Sequence, residues 1–155
     1  MLIHSLCVVA AITYYNETLR VEEVALGQHH QDVLLTRQHI GQVHQQRGEF
    51  DMAIRLYSES LEQTRRQQEH QRRTSTIGNP SISLHDASTA IIVARTWNHM
   101  GNLYLQKGET AKMISAFAEA VRLLRSVGKS EDDLNVTGLN FFSLSKLHPE
   151  CAAVA

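Results

Sequence analysis

The sequence predicts an all-α fold, an α-α superhelix built from antiparallel helix pairs, and the main observation behind it is internal repetition. A motif of two apolar residues, an aromatic residue, a glutamate and a final apolar residue occurs three times, starting at Ala11, Ala53 and Met113. The second copy starts 42 residues after the first, and the third starts 60 residues after the second. Such repetition indicates a solenoid, because each helical unit buries its apolar face only against a neighbouring unit.

A second repeated motif, which contains two glycines, precedes the second and third copies of the first. Gly41 and Gly101 interrupt a helical pattern, where glycine costs about 1 kcal/mol relative to alanine. We therefore expect a neighbouring helix to approach closely at these two positions. Gly48 and Gly108 follow, and glycine adopts without steric cost the positive φ that ends a helix. Together the two motifs predict one pair of helices, joined by a tight turn, in each repeat.

The spacing of apolar residues and the turn residues between them define the predicted helices in order. The stretch 74–81 has the composition of a loop, and Pro149 ends the last helix. A Ser130-x-x-Asp133 arrangement before that helix resembles a helix cap. We expect this last helix to cover the open end of the solenoid. The predicted helices span residues 4–25, 31–47, 50–72, 85–107, 110–127 and 131–147.

At 155 residues, the chain is expected to form a single domain, 1–155. Its first helix carries Ala11, Ile12, Tyr15 and Leu19 in register with the repeat. We interpret this helix as the second helix of a repeat whose first helix is missing. The predicted segments are a truncated repeat at 1–27, a repeat at 28–73, a loop insertion at 74–84, a repeat at 85–128 and a capping helix at 129–148.

The last complete repeat carries a series of characteristic residues at Trp97, Met100, Gly101, Tyr104, Gly108, Phe117 and Ala120. Their order and spacing closely resemble the tetratricopeptide repeat. Met113 occupies a position where that family usually has a small alanine, so we expect the two helices to lie slightly further apart there. The aromatic residues Tyr57 and Phe117 lie on the apolar face of their helices and are expected to pack inside each pair.

The segment between the first two predicted helices reads Leu26-Gly27-Gln28-His29-His30-Gln31-Asp32-Val33. It is similar to the Leu-Gly-x-x-His-Pro-Asp-Val linker of tetratricopeptide repeats of the kinesin-light-chain type. Gln31 departs from the proline of that pattern, whereas His30 and Asp32 match it. We expect the Asp32 carboxylate to accept from free amides at the start of the next helix, which would stabilise that helix by about 1 kcal/mol.

The resemblance implies a non-enzymatic scaffold or adaptor that binds peptide segments in a concave groove lined by the first helix of each pair. Amide side chains carry both a donor and an acceptor, which suits hydrogen bonding to a peptide main chain. Asn98 and Asn102 match the groove asparagines of the kinesin-light-chain-like family. The alternative is that these amides only keep an exposed face soluble. The predicted groove residues are Gln38, Gln42, Gln45 and Gln46 in the first pair and Arg95, Asn98, Asn102 and Gln106 in the second.

The sequence argues against catalysis, metal binding and nucleic-acid binding. It contains no nucleophile–base pairing and no glycine-rich phosphate loop, so we expect neither enzyme activity nor a cofactor. The nine histidines lack the spacing of a metal site. A net charge of −1 provides no general attraction to nucleic acid or to an anionic membrane. Two distant cysteines, Cys7 and Cys151, favour reduced thiols and a cytoplasmic location.

Two further hypotheses concern the N-terminal helix and the predicted loop. The apolar stretch 1–12 has no basic residue before it and is too short to span a bilayer, so it predicts neither a signal peptide nor an anchor. As an alternative to peptide binding, the chain could have a structural role and self-associate into a homo-oligomer through this helix.

Ser75 follows Arg72-Arg73-Thr74, an arrangement typical of a basophilic kinase site, and is a candidate phosphorylation site.

Overall fold

The computed structural model of the chain describes residues 2–74 and 84–128. The prediction of an all-α fold is confirmed, since these residues form helices and turns and contain no strand. Ser75, most of the predicted loop insertion, the Ser130 cap and the predicted capping helix at 129–148 lie outside the described residues. The helices are α1 (Leu2–Leu26), α2 (Gln31–Gln46), α3 (Phe50–Thr74), α4 (Leu84–Gln106) and α5 (Thr110–Ser126).

The chain divides into two compact units, residues 1–81 and residues 82–155. In the first unit, α2 packs against both α1 and α3. In the second unit, α4 packs against α5. Each of the two complete repeats is therefore a pair of packed helices, and α1 adds a third helix to the first unit.

The turns inside the two pairs have the same construction. Gly48 has a φ of 75° and Gly108 a φ of 73°, both in the left-handed region. After α2, the Glu49 N–H donates to the His44 carbonyl at 3.0 Å, and the equivalent bond after α4 measures 2.9 Å. Such a bond across a left-handed glycine satisfies a carbonyl that the helix end would leave unpaired. The predicted role of the two glycines as helix ends is confirmed.

The start of α2 differs from the prediction. His30 is the residue that caps α2, and its Nδ1 accepts from the Asp32 N–H at 3.3 Å. The prediction that Asp32 caps this helix is wrong, because Asp32 lies inside the first turn. An N-cap acceptor must precede the free amides of a helix, and Asp32 itself carries one of them. The histidine of the linker therefore takes the role that the aspartate was expected to have.

The core of each pair depends on an aromatic residue that faces a glycine. Tyr57 and Phe117 are fully buried, as predicted. A Cβ added at Gly101 would lie 2.7 Å from the Phe117 ring, and one added at Gly41 would overlap the ring of Tyr57. The prediction that these glycines permit close approach of the partner helix is confirmed. Burial also raises the pKa of the Tyr57 phenol, because the charged form would lose its hydration.

Helix α1 is less covered by its neighbours than α3 and α5, the second helices of the two complete pairs. The repeat residues Ala53 and Tyr57 of α3 are fully buried, whereas the equivalent Ala11 and Tyr15 of α1 are only half-buried. Tyr14 keeps 70% of its surface exposed and Val24 keeps 84%. One side of α1 packs against α2, and an apolar part of its remaining surface is open to solvent.

Candidate functional site

The predicted groove residues of α4 follow one side of the helix, at spacings of three and four residues. Gln106 is exposed, and Arg95 and Asn102 are half-buried. Asn98 differs from them because only 2% of its surface is exposed. Three of the four predicted residues on α4 therefore present polar atoms to solvent, and the fourth lies within the structure.

The predicted groove residues of α2 divide in the same way. Gln46 is exposed, and Gln42 and Gln45 are half-buried. Gln38 is only 2% exposed, and its main-chain carbonyl accepts from the Tyr57 hydroxyl at 3.5 Å. The first unit thus presents amide groups of three glutamines, and Gln38 belongs to its interior.

Gln38 and Asn98 occupy equivalent positions of the two repeats, and both are buried. Each lies two residues after a buried threonine, Thr36 in α2 and Thr96 in α4. The Thr96 hydroxyl donates to the Ile92 carbonyl at 3.0 Å within the helix. The Asn98 Oδ1, in contrast, has no hydrogen-bond partner among the described residues. Helical spacing, and for Asn98 also the match to the groove asparagines of the kinesin-light-chain-like family, assigned these two amides to the groove, and only their burial separates them from the accessible residues.

The histidines show no sign of a metal site in the described ranges. No group of three His, Cys, Asp or Glu side chains in these ranges could hold a metal ion. His39 lies with its ring centroid 5.5 Å from that of Tyr15 in α1, so it contributes to the packing of α1 on α2. His44 Nδ1 lies 2.5 Å from a carboxylate oxygen of Glu49, next to the turn after α2.

The arginine-rich end of α3 is an ion-pair network. Arg65 donates to Glu62 at 3.0 Å and to Glu69 at 2.7 Å, and Arg66 donates to Glu62 at 2.9 Å. Hydrogen bonds from Arg65 and then Arg66 lower the pKa of the Glu62 carboxyl to about 2. These carboxylates offset the positive charge of the arginines in this part of α3.

A concavity between α4 and α5 escaped the sequence analysis. It has a volume of about 270 Å³ and is mainly apolar. At the edge of the concavity, the Lys112 ammonium lies 5.6 Å from the centroid of the Tyr104 ring. A comparison of the two repeats would have indicated it, because small residues of α5 replace larger residues of α3 at this place. The lining residues are Trp97, Tyr104, Ala111, Lys112, Ser115 and Ala116.

None of the helices in the described residues has both the length and the apolar character needed to cross a membrane.

Comparison with known families agrees with this architecture. Two family models, both described as tetratricopeptide repeat, match residues 7–66 and 94–123, which together are more than half of the chain. The first match includes α1 from residue 7 onward, α2 and most of α3, and the second covers parts of α4 and α5. No curated protein and no solved structure matches the chain with significant similarity. Tetratricopeptide repeats are modules that mediate protein–protein interactions, and this chain belongs to the tetratricopeptide repeat family.

Proposed function

We propose that this protein is a non-enzymatic scaffold or adaptor that binds extended peptide segments of partner proteins, and that it is of the kinesin-light-chain-like subtype. One observation carries the peptide-binding proposal. Arg95, Asn102 and Gln106 lie on one side of α4 and are accessible to solvent. The linker before α2 supports the subtype, because His30 and Asp32 match its pattern.

The chemistry of these side chains suits a peptide main chain. Asparagine and glutamine each offer a donor and an acceptor, and the arginine guanidinium offers several donors in a plane. Each hydrogen bond contributes about 1 kcal/mol net. A few such bonds together contribute about 3–4 kcal/mol, which alone corresponds to about millimolar affinity, so tighter binding requires additional contacts. Gln42 and Gln45 offer the same groups on α2, within the first unit.

The test is selection of binders from a random peptide library on the intact chain, followed by calorimetric titration of a selected peptide. Replacing Arg95, Asn102 and Gln106 together by alanine should weaken binding about a hundredfold, since three bonds of about 1 kcal/mol are lost. The matched control replaces the half-buried Glu119 and the exposed Arg122 of α5 by alanine. Unchanged affinity in the triple variant, or a library that enriches no peptide, would refute the proposal.

A second candidate function is self-association through α1, which the exposed apolar residues of that helix favour. Tyr14 and Val21 are seven residues apart and therefore lie on the same side of the helix, and both are more than half exposed. Val24 extends this apolar surface by a further turn. Isolated exposed apolar residues are ordinary on protein surfaces, whereas contiguous patches mark interaction sites.

Sedimentation at several protein concentrations tests this second function. Self-association predicts a dimer that Tyr14→Lys disrupts and that the matched Asn16→Lys, which adds the same charge to another exposed side, leaves intact. A concentration-independent monomer would remove this candidate without affecting peptide binding.

We also propose a cytoplasmic location from the two distant cysteines, and a fluorescent fusion of the full chain that accumulated in another compartment would contradict it.

A further inference from the structure

Arg95 of α4 is a cation without a counter-ion in the part of the chain that the structure describes. It is half-buried, and it forms neither an ion pair nor a hydrogen bond with another described residue. By contrast, α1, α2, α3 and α5 each carry an arginine that pairs with a glutamate, at Arg20, Arg37, Arg65 and Arg122. A half-buried guanidinium has lost part of its hydration, and without a partner nothing compensates this loss. Arg95 therefore favours an anion supplied by another molecule.

The sequence of α4 explains why Arg95 has no partner on its own helix. The acidic residue of α4 is Asp86, which lies nine residues before Arg95 and therefore about 13 Å away along the helix axis. Ion pairs along a helix join residues three or four positions apart. At those distances from Arg95, the chain carries Ile91, Ile92, Asn98 and His99.

The carboxylates that follow α4 are already paired. Residues 107–128 contain two of them, Glu109 and Glu119. Glu109 pairs with Lys112 at 2.7 Å, and Glu119 pairs with Arg122 at 2.8 Å. Residues 87–128 carry five lysines and arginines against these two carboxylates, which leaves a surplus of three positive charges. This described part of the second unit therefore attracts anions.

Arg95 lies in line with the accessible amides of the predicted groove. Arg95 and Asn102 are seven residues apart, so they lie on the same side of α4 and about 10 Å apart along its axis. An extended peptide advances about 3.3 Å per residue. A peptide whose main chain bonds to Asn102 therefore brings a side chain about three residues away to Arg95. The planar guanidinium matches the two oxygen atoms of a carboxylate or a phosphate.

We propose that Arg95 selects, among the peptides that the groove binds, those with an anionic group about three residues from the residue held by Asn102. The anionic group is a carboxylate or a phosphate, since both accept two parallel hydrogen bonds from a guanidinium. This inference rests on the proposed peptide-binding function and adds the ligand class. The preferred ligand contains one acidic or phosphorylated residue in an otherwise uncharged segment.

Three synthetic peptide libraries test this selectivity on the intact chain. Each has a fixed central residue, which is glutamate, phosphoserine or glutamine, between randomised uncharged positions, and blocked termini that carry no charge. The chain should retain the glutamate or the phosphoserine library at least about fivefold better than the glutamine library. Added salt should reduce this preference. Stronger retention of the phosphoserine library assigns the anion to a phosphate, and equal or stronger retention of the glutamate library assigns it to a carboxylate.

Variants of the full chain identify the residue responsible. Arg95→Gln should abolish the preference for the anionic libraries and still retain the glutamine library, because the groove amides are unchanged. Arg95→Glu should reverse the preference in favour of a fourth library with a fixed lysine. Arg122→Gln makes the same change at an exposed arginine of α5 and is the matched control, which should keep the original preference. Circular dichroism checks that each variant is folded.

The outcomes separate this inference from the proposed function. Equal retention of the first three libraries by the original chain would overturn the selectivity and leave the groove in place. A preference that persists in Arg95→Gln would assign the selectivity to another cation and would also overturn the inference. Retention of none of the libraries would overturn both the groove and the role of Arg95.

Discussion

Phe117 of α5 fills the space that a side chain on Gly101 of α4 would need, with 2.7 Å between its ring and an added Cβ. Tyr57 and Gly41 repeat this relationship between α3 and α2. The helices of each pair approach closely because one of them lacks a side chain where the other carries an aromatic ring.

We predict that Gly101→Ala destabilises the protein by up to about 2 kcal/mol. Overpacking against a buried ring costs about 1–3 kcal/mol, and the higher helix propensity of alanine offsets about 1 kcal/mol of it. Urea unfolding followed by Trp97 fluorescence and circular dichroism measures the change. Phe117→Leu in the same chain should relieve the clash, so that the two substitutions are not additive. A stabilised Gly101→Ala variant would show that the ring and the glycine do not meet.

Gly108→Ala should destabilise by about 1 kcal/mol for a different reason. Nothing lies within 4 Å of a Cβ at this position, but its φ is +73°. The cost is therefore conformational, since an L-residue with a side chain disfavours the left-handed region. Asparagine tolerates this region better than alanine, and Gly108→Asn is the matched control. Equal melting temperatures for the original chain and Gly108→Ala would contradict the turn geometry.

Glu23→Gln should destabilise the first unit by about 2 kcal/mol. Loss of one partner leaves Arg37 buried without its counter-charge, and breaking a fully buried pair costs about 3–5 kcal/mol. The expected cost is smaller because the Glu23 side chain remains 29% exposed. The control is Glu17→Gln, which removes an exposed pair with Arg20 on the same helix and should leave the urea midpoint unchanged. Equal effects of the two substitutions would show that burial does not strengthen the pair between α1 and α2.

Asn98→Leu should stabilise the protein by about 1 kcal/mol. The buried Asn98 Oδ1 has no hydrogen-bond partner in the described ranges, and an unpaired buried acceptor costs about 1–3 kcal/mol. Leucine has a similar size and removes that cost. Thermal unfolding measures the change, with Asn102→Leu as the control at a half-exposed position. A marked loss of stability in Asn98→Leu would mean that the amide has a partner, such as a buried water molecule.

Protonation of the Glu62 carboxyl should contribute to the loss of folding stability at low pH. Its folded pKa is lowered from 4.5 to about 2 by Arg65 and Arg66. A lowered pKa contributes stability above pH 4.5 that disappears as the pH falls towards 2. The melting temperature at low ionic strength should therefore decline less steeply across this interval in Glu62→Gln than in the original chain. Glu59→Gln, on the exposed side of α3, is the control, and salt should diminish the difference because the group is exposed.

Much of the architecture followed from local patterns. The ends of α2, α4 and α5 lie within one residue of the predicted ends, because a glycine with positive φ stops each helix. The close approach of a neighbouring helix at Gly41 was also predicted, since glycine inside a helix is costly without a close neighbour, and the structure identifies that neighbour as Tyr57. The cap of α2 was predicted wrongly, because aspartate is a preferred N-cap residue and histidine is not, although the predicted start of the helix at residue 31 already places Asp32 inside its first turn.

The predicted site was only partly recoverable from the sequence. Helical spacing correctly grouped Arg95, Asn98, Asn102 and Gln106 on one side of α4. Spacing carries no information on depth, and Asn98 lies inside the structure while its neighbour Asn102 is accessible. The concavity beside Trp97 can be recognised only from the positions of residues on two helices. The smaller side chains at Ala111 and Ser115 are nevertheless visible when the sequences of the two repeats are aligned.

The sequence by itself determined that this chain forms helix pairs, where the helices of each described pair begin and end, and that a glycine inside the first helix of each pair permits close approach of the second. These properties depend on residues close in the chain, or on a contact that recurs in each repeat. Tertiary structure alone decided which amides reach solvent, that Arg37 pairs with Glu23, and that small residues of α5 leave a concavity beside Trp97. Burial and cavities arise from the packing of whole helices, so no single helix encodes them.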